Sequence, residues 1–493
     1  MRRGTDAGSL SGWVAFAGPL AFYIATLTPG VAFWDIGEMQ TVPYLLGIPH
    51  PTGFPLFLLG GWLSSHALPF GDPAWRISFF CAAAGAASAW LLWYLVRDLT
   101  RSGLAGLAAA IAFAAGDIVW TRAIRAEVHD LVLFCSALAI VAARRAGATG
   151  SPRALWTAAC ACGLGLATHP ATLFTLPCVL LLAWPALLQA RASERLRAVA
   201  LLLAPLLLYA YFPLRSAFVE MHGLDPNADL GLSGSALFDD GSPSSPARFY
   251  QYVSGATFRP GTAFGASFTP AGLAKIGSFW SGVMLKEFSI QFLAFALIGI
   301  AILALTKPRV ALGFATLLAA GAAFAANYAV EVDAERYALP ALWVVVCCAA
   351  VGVHTIVLAI LRERSWWTGW FCAAILLVTL WPNAASVLSD VRERNAYNDA
   401  RGIGPGIVRH TNDGALIVAT WNFATPLTYD RYVVQTLGSR RVVCGWPPSF
   451  RAHLAAWRRR FGRVYVVVSS KYDVTPMGRT VYTEGRWQLA ELR

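Results

Sequence analysis

The sequence predicts a polytopic α-helical membrane protein with about 11 transmembrane helices and a small α/β domain at its C-terminal end, on the extracytoplasmic side. Three observations predict it. Of the 493 residues, 57% belong to the set AVILMFWYC and only 13% are charged, where a soluble domain carries about a quarter. A single water-soluble globule, a disordered chain and a fibrous repeat are thereby excluded. Apolar stretches near the roughly 20 residues that a bilayer core demands recur as far as Pro382, and from 383 to 493 the pattern changes to polar turns between short apolar runs. Basic residues, finally, are unequally shared between alternate loops.

In chain order, membrane helices are expected at 11–29, 75–97, 103–121, 126–144, 154–169, 171–190, 197–214, 286–306, 309–328, 338–361 and 366–382. The first follows Met1-Arg2-Arg3 without a small-residue cleavage site and reads as a retained anchor. Short segments on one side collect 14 Lys/Arg, among them Arg97, Arg101, Arg144, Arg145, Arg362 and Arg364, against nine spread over longer loops on the other. The first side is therefore read as cytoplasmic. An odd span count then places the N-terminus inside, and segments 30–74, 215–285 and the tail outside. The apolar piece 52–69 is expected to be an interfacial or re-entrant helix, because counting it as a span would move those arginines outside. The domains read as 1–382, a bundle with its outer loops, and 383–493.

The net charge of +12 is concentrated in the tail, where 16 Lys/Arg face 8 Asp/Glu, while the rest of the chain holds 23 against 19. No nucleic-acid partner is expected. Eight of the nine cysteines lie in apolar helical stretches and only Cys444 lies in the tail, so no disulfide forms within the tail. Cys160 and Cys162 point about 200° apart on a helix and lack a companion pair for a metal. In the tail, 414–420, 441–446 and 463–470 read as buried strands with helices at 423–437 and 448–461 between them, which predicts a parallel core. No glycine-rich phosphate loop follows the first strand. The turn from Trp421 to Thr425 is where such a fold contacts ligands. The basic run Arg458-Arg459-Arg460 reads as facing lipid headgroups or solvent. The aromatics of the long loop, including Phe249, Tyr250, Tyr252, Phe258, Phe264 and Phe268, read as interface anchors or sugar-stacking faces.

The informative charges are few. Asp35 and Glu38 follow the first span directly, where an ionised carboxylate costs about 2.5–3.5 kcal/mol on insertion scales. At i and i+3 they share a helical face, with Gly37 between them. Two readings are open: paired carboxylates that hold a general base near its working range, or an N-cap Asp with a first-turn Glu. The run Gly47-Ile48-Pro49-His50-Pro51-Thr52-Gly53 presents His50 between two prolines that stiffen the backbone, for a structural or a chemical role. Further polar groups sit at outer helix ends: Arg122, Arg125, Glu127, His129 and Asp130; Thr168 and His169; Tyr211 and Arg215; Glu331, Asp333, Glu335, Arg336 and Tyr337. Each cluster alone reads as an anchor or an internal ion pair. Together on one side, they suit a lipid that carries a phosphate.

The run FWDIGE…LGIPHPTGFPL from Phe33 to Leu56, with RAEVHDL, LATHPAT, YFPLRS, RFYQYVSG and GALIVATWNFATPLTYDRYV further on, closely resembles the domain-of-unknown-function 2723 family. That family includes the transmembrane protein 260 type of protein O-mannosyltransferase and belongs to the glycosyltransferase-C superfamily. The family's turn reads H-P-P-G, whereas this chain has Thr52 in the third place. The resemblance implies a glycosyltransferase-C-like bundle and a lipid-phosphate sugar donor. It makes Asp35 the catalytic base with Glu38 as its neighbour. His50, Arg125, Glu127, His129, His169, Arg215, Arg336 and Tyr337 are the expected substrate-binding residues, with Arg215 first and Arg125 second for the donor phosphate.

The expected reaction is transfer of a sugar, mannose by resemblance, from polyprenyl phosphate to a protein or glycan hydroxyl, in a multi-pass protein of a bacterial inner membrane. No cofactor or metal ligand is assigned, and a divalent cation on the carboxylates is compatible with the pattern without being demanded by it. A transporter or flippase also needs intramembrane charges, but no internal repeat is evident. A non-catalytic envelope assembly protein is the other alternative.

Overall fold

In the computed structural model of the chain, residues 4–232, 234–256, 269–327, 334–362, 366–445 and 450–493 are described. They form two compact units. The first comprises Met1–Leu27, Cys81–Leu208 and Phe258–Glu393; the second comprises Thr28–Phe80, Tyr209–Thr257 and Arg394–Arg493. The tail thus shares a unit with two segments from earlier in the chain, a division that follows contacts rather than the change of composition at 382/383.

Among the described residues, five helices are long and apolar enough to cross a membrane, or seven if each of two bent pairs counts as one span. Each of the 11 segments read as spans overlaps at least one helix, although the first overruns the end of its helix at Ala25 and the third is broken between Ala114 and Asp117. Pro382 does not end its helix, which runs from Trp366 to Asn398. The piece 52–69 forms one short helix, Pro55–Ala67.

Within the first unit, the helices Ile290–Thr306 and Leu339–Leu361 pack backbone to backbone. A Cβ on Gly299 would stand 1.8 Å from the Cys348 carbonyl, and one on Gly352 would stand 2.2 Å from that of Phe295. Small residues permit this approach where lipid supplies no hydrophobic drive. The bent pair Gly103–Ala114 and Asp117–Ala123 turns by 73°, and Glu287 accepts the Ile118 N–H at 2.8 Å. A carboxylate at a helix start satisfies donors that the break leaves open.

The second unit is built on a five-stranded sheet of order β2-β1-β3-β5-β4. Strands β1 (Leu416–Ala419), β2 (Arg441–Cys444) and β3 (Val464–Ser469) are parallel. Strands β4 (Gly478–Glu484) and β5 (Trp487–Leu492) add an antiparallel edge, so the expected parallel core is extended into a mixed sheet. The helix Trp421–Tyr432 covers one face, packing Phe423 and Leu427 with Ile417 and Ala419. The helix Arg451–Phe461 covers the other, with Trp457 beside Leu416 and Val418. Burial on both faces is why these strands read as unbroken apolar runs. Two of the three arginines expected at headgroups or solvent have structural partners: Arg460 pairs with Asp229, and Arg458 donates to the Leu492 carbonyl.

Candidate active site

The candidate residues fall into two groups, one in each unit. The second unit holds Asp35, Glu38, His50 and Arg215; the first holds Arg125, Glu127, His129, His169, Arg336 and Tyr337. Glu331, Asp333, Phe258, Phe264 and Phe268 lie outside the described residues.

Asp35 and Glu38 sit in the first turns of the helix Trp34–Leu45, but they do not cap it. Its N-cap is Phe33, without a side-chain cap bond. Glu38 is fully buried and turns to the His50 loop, where Oε1 accepts the His50 backbone N–H at 2.7 Å and Oε2 meets the His50 Nδ1. Asp35 stays half-buried, and its Oδ1 accepts the indole N–H of Trp421 at 3.0 Å. The capping alternative is therefore replaced by two separate attachments, and the two carboxylates differ in environment.

The His50 turn is clamped from outside its own sequence. Tyr211 Oη donates to the Leu46 carbonyl at 2.5 Å, Arg215 Nε donates to the same oxygen at 2.7 Å, and Tyr252 Oη donates to the Pro49 carbonyl at 2.7 Å. Ile48 exchanges backbone bonds with Phe238 and Asp240, and the Asp225 carboxylate accepts the backbone N–H groups of Asn227 and Ser235 just before that turn segment. In the long loop, Tyr252 is buried and Phe249 packs beside it, while Tyr250 stays exposed.

The electrostatics follow from burial. Burial raises the Glu38 carboxyl, and the nearby His50 pulls it back only in part. Burial would lower His50, but the Glu38 carboxylate beside it, with Asp35 and Asp240 further off, pushes it up to about 9. Asp240 is pushed up to about 7 by its own burial and then by Glu38. The cluster thus holds protons more tightly than its separate members would.

Gly37 has a definite cause. A Cβ there would lie 2.2 Å from the Ala32 carbonyl and 2.9 Å from the Thr425 hydroxyl, and that hydroxyl donates to the Trp34 carbonyl at 2.9 Å. Gly37→Ala is expected to cost roughly 1–3 kcal/mol by overpacking and to loosen the Thr425 contact. Thermal unfolding of the detergent-solubilised protein checks it; an unchanged midpoint would show that the backbone yields.

In the first unit, Glu127 caps the helix Val128–Thr149 and gathers cations. Arg122 lies at 3.6 Å, Arg125 at 3.4 Å and His129 Nδ1 at 2.7 Å from its carboxylate. The rings of His129, His169 and Tyr337 cluster in tilted and edge-on contacts, with centroids 4.8–5.8 Å apart, and Arg336 lies over Tyr337 at 5.5 Å. A small pocket is lined by His129, Phe174, Arg336 and Tyr337 among others. This is the internal ion-pair reading. Among the described residues, no group of three or more His, Cys, Asp or Glu is placed to hold a metal ion.

Residues 35–189 match the family described as Protein O-mannosyl-transferase TMEM260 N-terminal domain. The resemblance read from the sequence therefore stands. The match opens at Asp35 and takes in Glu38, His50, Arg125, Glu127, His129 and His169, but not Arg215, Arg336 or Tyr337. The mouse Protein O-mannosyl-transferase TMEM260 is 34% identical over 222 residues, 43% of this chain and 31% of that protein. Its Dictyostelium discoideum counterpart is 31% identical over 111 residues, 22% of this chain and 14% of that protein. The chain thus spans less than a third of the length of these relatives. Among solved structures, ArnT from Cupriavidus metallidurans bound to undecaprenyl phosphate aligns over 98% of both chains with a TM-score of 0.53 and 12% identity. At that identity the likeness shows the fold alone, a membrane architecture with several apolar helices and a small sheet.

The sequence did not single out one participant, Asp240, nor the role of another, Tyr211. Asp240 lies in a Gly/Ser/Pro-rich stretch whose only signal was its acidic pair with Asp239. Tyr211 was noted only as a helix-end polar group, and its role as a backbone clamp depends on a contact 165 residues away.

Proposed function

We propose that this chain is a membrane glycosyltransferase that moves a sugar, mannose by relation to the TMEM260 proteins, from a polyprenyl-phosphate donor to an acceptor hydroxyl on the extracytoplasmic face. The single observation that carries the reading is the division of labour between the two acids. Glu38 is buried and engaged by His50, whereas Asp35 retains exposure and accepts the Trp421 indole N–H. A base must reach substrate, and only Asp35 has that access.

In this mechanism the acceptor oxygen attacks the anomeric carbon from the face opposite the phosphate. Its proton passes to Asp35, and the bond from anomeric carbon to phosphate oxygen breaks with inversion, releasing polyprenyl phosphate. The leaving phosphate is the largest charge to develop, so it needs a fixed cation. Arg215 shares the unit of Asp35, and with Nε engaged on Leu46 its terminal nitrogens suit a phosphate in the bidentate manner of guanidinium. Arg122, Arg125 and Arg336, the cations paired with or near Glu127, are the remaining candidates, with His129, His169 and Tyr337, for contact with substrate. The eleven-span topology with the N-terminus cytoplasmic accompanies this reading, in a bacterial inner membrane.

Membranes containing the protein, supplied with radiolabelled polyprenyl-phosphate mannose, test the reading. Label in acid-precipitable protein supports transfer to Ser/Thr, and label in extractable lipid or glycan points to an envelope acceptor. Donor translocation without transfer would replace the enzyme by a transporter, and the absence of both would leave an assembly protein.

A further inference from the structure

The proposed mechanism assigns Asp35 a role but does not say what orients it. The geometry points to the tail: we propose that Trp421, held at the carboxyl end of strand β1, is a positioning residue for Asp35, so that the tail sheet is a working part of the catalytic unit. This rests on the reading of Asp35 as the base.

Strand β1 is buried along its whole length and pairs in parallel with β2 on one side and β3 on the other. The chain leaves β1 over one face of the sheet and returns from β2 to β3 over the other, so the end of β1 is the switch point where open α/β sheets leave a crevice. Trp421 is the first residue of the helix at that point. Its indole is partly buried, packed with Val42, Leu58 and Leu237, which fixes the ring plane. From that ring the N–H reaches Asp35 Oδ1 at 3.0 Å. The His50 ring stands edge-on to the same indole with centroids 6.2 Å apart. One turn further along, Thr425 donates to the Trp34 carbonyl at 2.9 Å.

The helix is thus attached at two places on consecutive residues, a backbone oxygen of Trp34 and the side chain of Asp35. An indole N–H is a donor only and does not titrate, so it can orient a carboxylate without competing for the acceptor's proton. With Oδ1 engaged, the plane of the carboxylate is set before substrate arrives.

The experiment uses the full chain in membranes with radiolabelled polyprenyl-phosphate mannose. Trp421→Phe keeps an aromatic ring and loses the donor; it is expected to lower kcat by about 10- to 100-fold, the effect of a slightly misplaced catalytic group, with the donor KM within about twofold of wild type. Replacement of Trp421 by benzothienylalanine, which keeps the ring shape and lacks the N–H, should give the same loss and serves if Trp421→Phe does not fold. In an Asp35→Asn background neither change should lower the residual rate further, because a residue acting through Asp35 has nothing left to act on.

Wild-type turnover of the benzothienylalanine protein, with Asp35→Asn inactive, would overturn the positioning role and leave the base in place. Additive losses in the double variant would show a merely structural role. Wild-type turnover of Asp35→Asn would instead remove the base reading itself.

Discussion

Asp35→Asn is expected to lower sugar transfer by roughly 10²–10⁴-fold, the usual contribution of a positioned general base, while the protein remains inserted and folded. The change is nearly isosteric. The amide keeps a carbonyl oxygen that can accept the Trp421 N–H now on Asp35, so the helix Trp421–Tyr432 should stay docked, and thermal unfolding should move little. The loss should appear in kcat and in kcat/KM alike, because deprotonation of the acceptor belongs to the transition state and not to donor binding. Near-normal turnover would take the role of base away from Asp35. Glu38→Gln offers the contrast: it alters a buried group engaged by His50, so its cost should fall on stability as well as on rate.

His50→Ala is expected to destabilise the second unit by about 3 kcal/mol, the lower end of what breaking a buried charged pair costs, because Glu38 is fully buried and would lose its side-chain partner. His50→Gln, which can still donate to a carboxylate, should recover part of that. The same pair predicts a pH dependence. His50 is raised in the folded protein from 6.5 to about 9, so the folded state binds its proton more tightly than the unfolded chain. The stability this contributes is full below pH 6.5 and is lost as pH rises through about 9. Asp240, raised to about 7, and Glu38, raised by burial, act in the same direction at lower pH. Thermal unfolding of detergent-solubilised protein from pH 6 to 9.5 should show falling midpoints, and Glu38→Gln should flatten the fall. A midpoint that rises over this range would contradict the assignment.

The motif from Phe33 to Leu56 was legible because its informative residues are close in sequence: the spacing of Asp35 and Glu38, and the prolines around His50, are local facts. Their partners were not. The Trp421 indole lies 386 residues from Asp35, and no local pattern pairs them, even though the Trp421 turn was recognisable as a ligand-facing place. Strands β1 to β3 announced themselves as apolar runs because both their faces are covered. Strand β4 did not, since most of its side chains are exposed, and an edge strand with one open side leaves little hydrophobic period to read. Pro382 misled in the opposite sense, because a proline that ends many helices is carried here inside a long one.

Composition and spacing by themselves determined that the chain is a membrane protein, that its polar chemistry is confined to a few helix ends and loops, and that Asp35 and Glu38 are its unusual acids. Those are properties of transfer free energy and of helical and strand period, which act over a few residues. Only the tertiary structure decided that Glu38 is spent on His50, that Asp35 keeps its exposure under a tryptophan from the tail, and that residues 28–80, 209–257 and 394–493 form one unit. Burial and hydrogen bonding between distant segments depend on how the chain returns upon itself, and that return is what separates two neighbouring carboxylates into a buried partner and an accessible base.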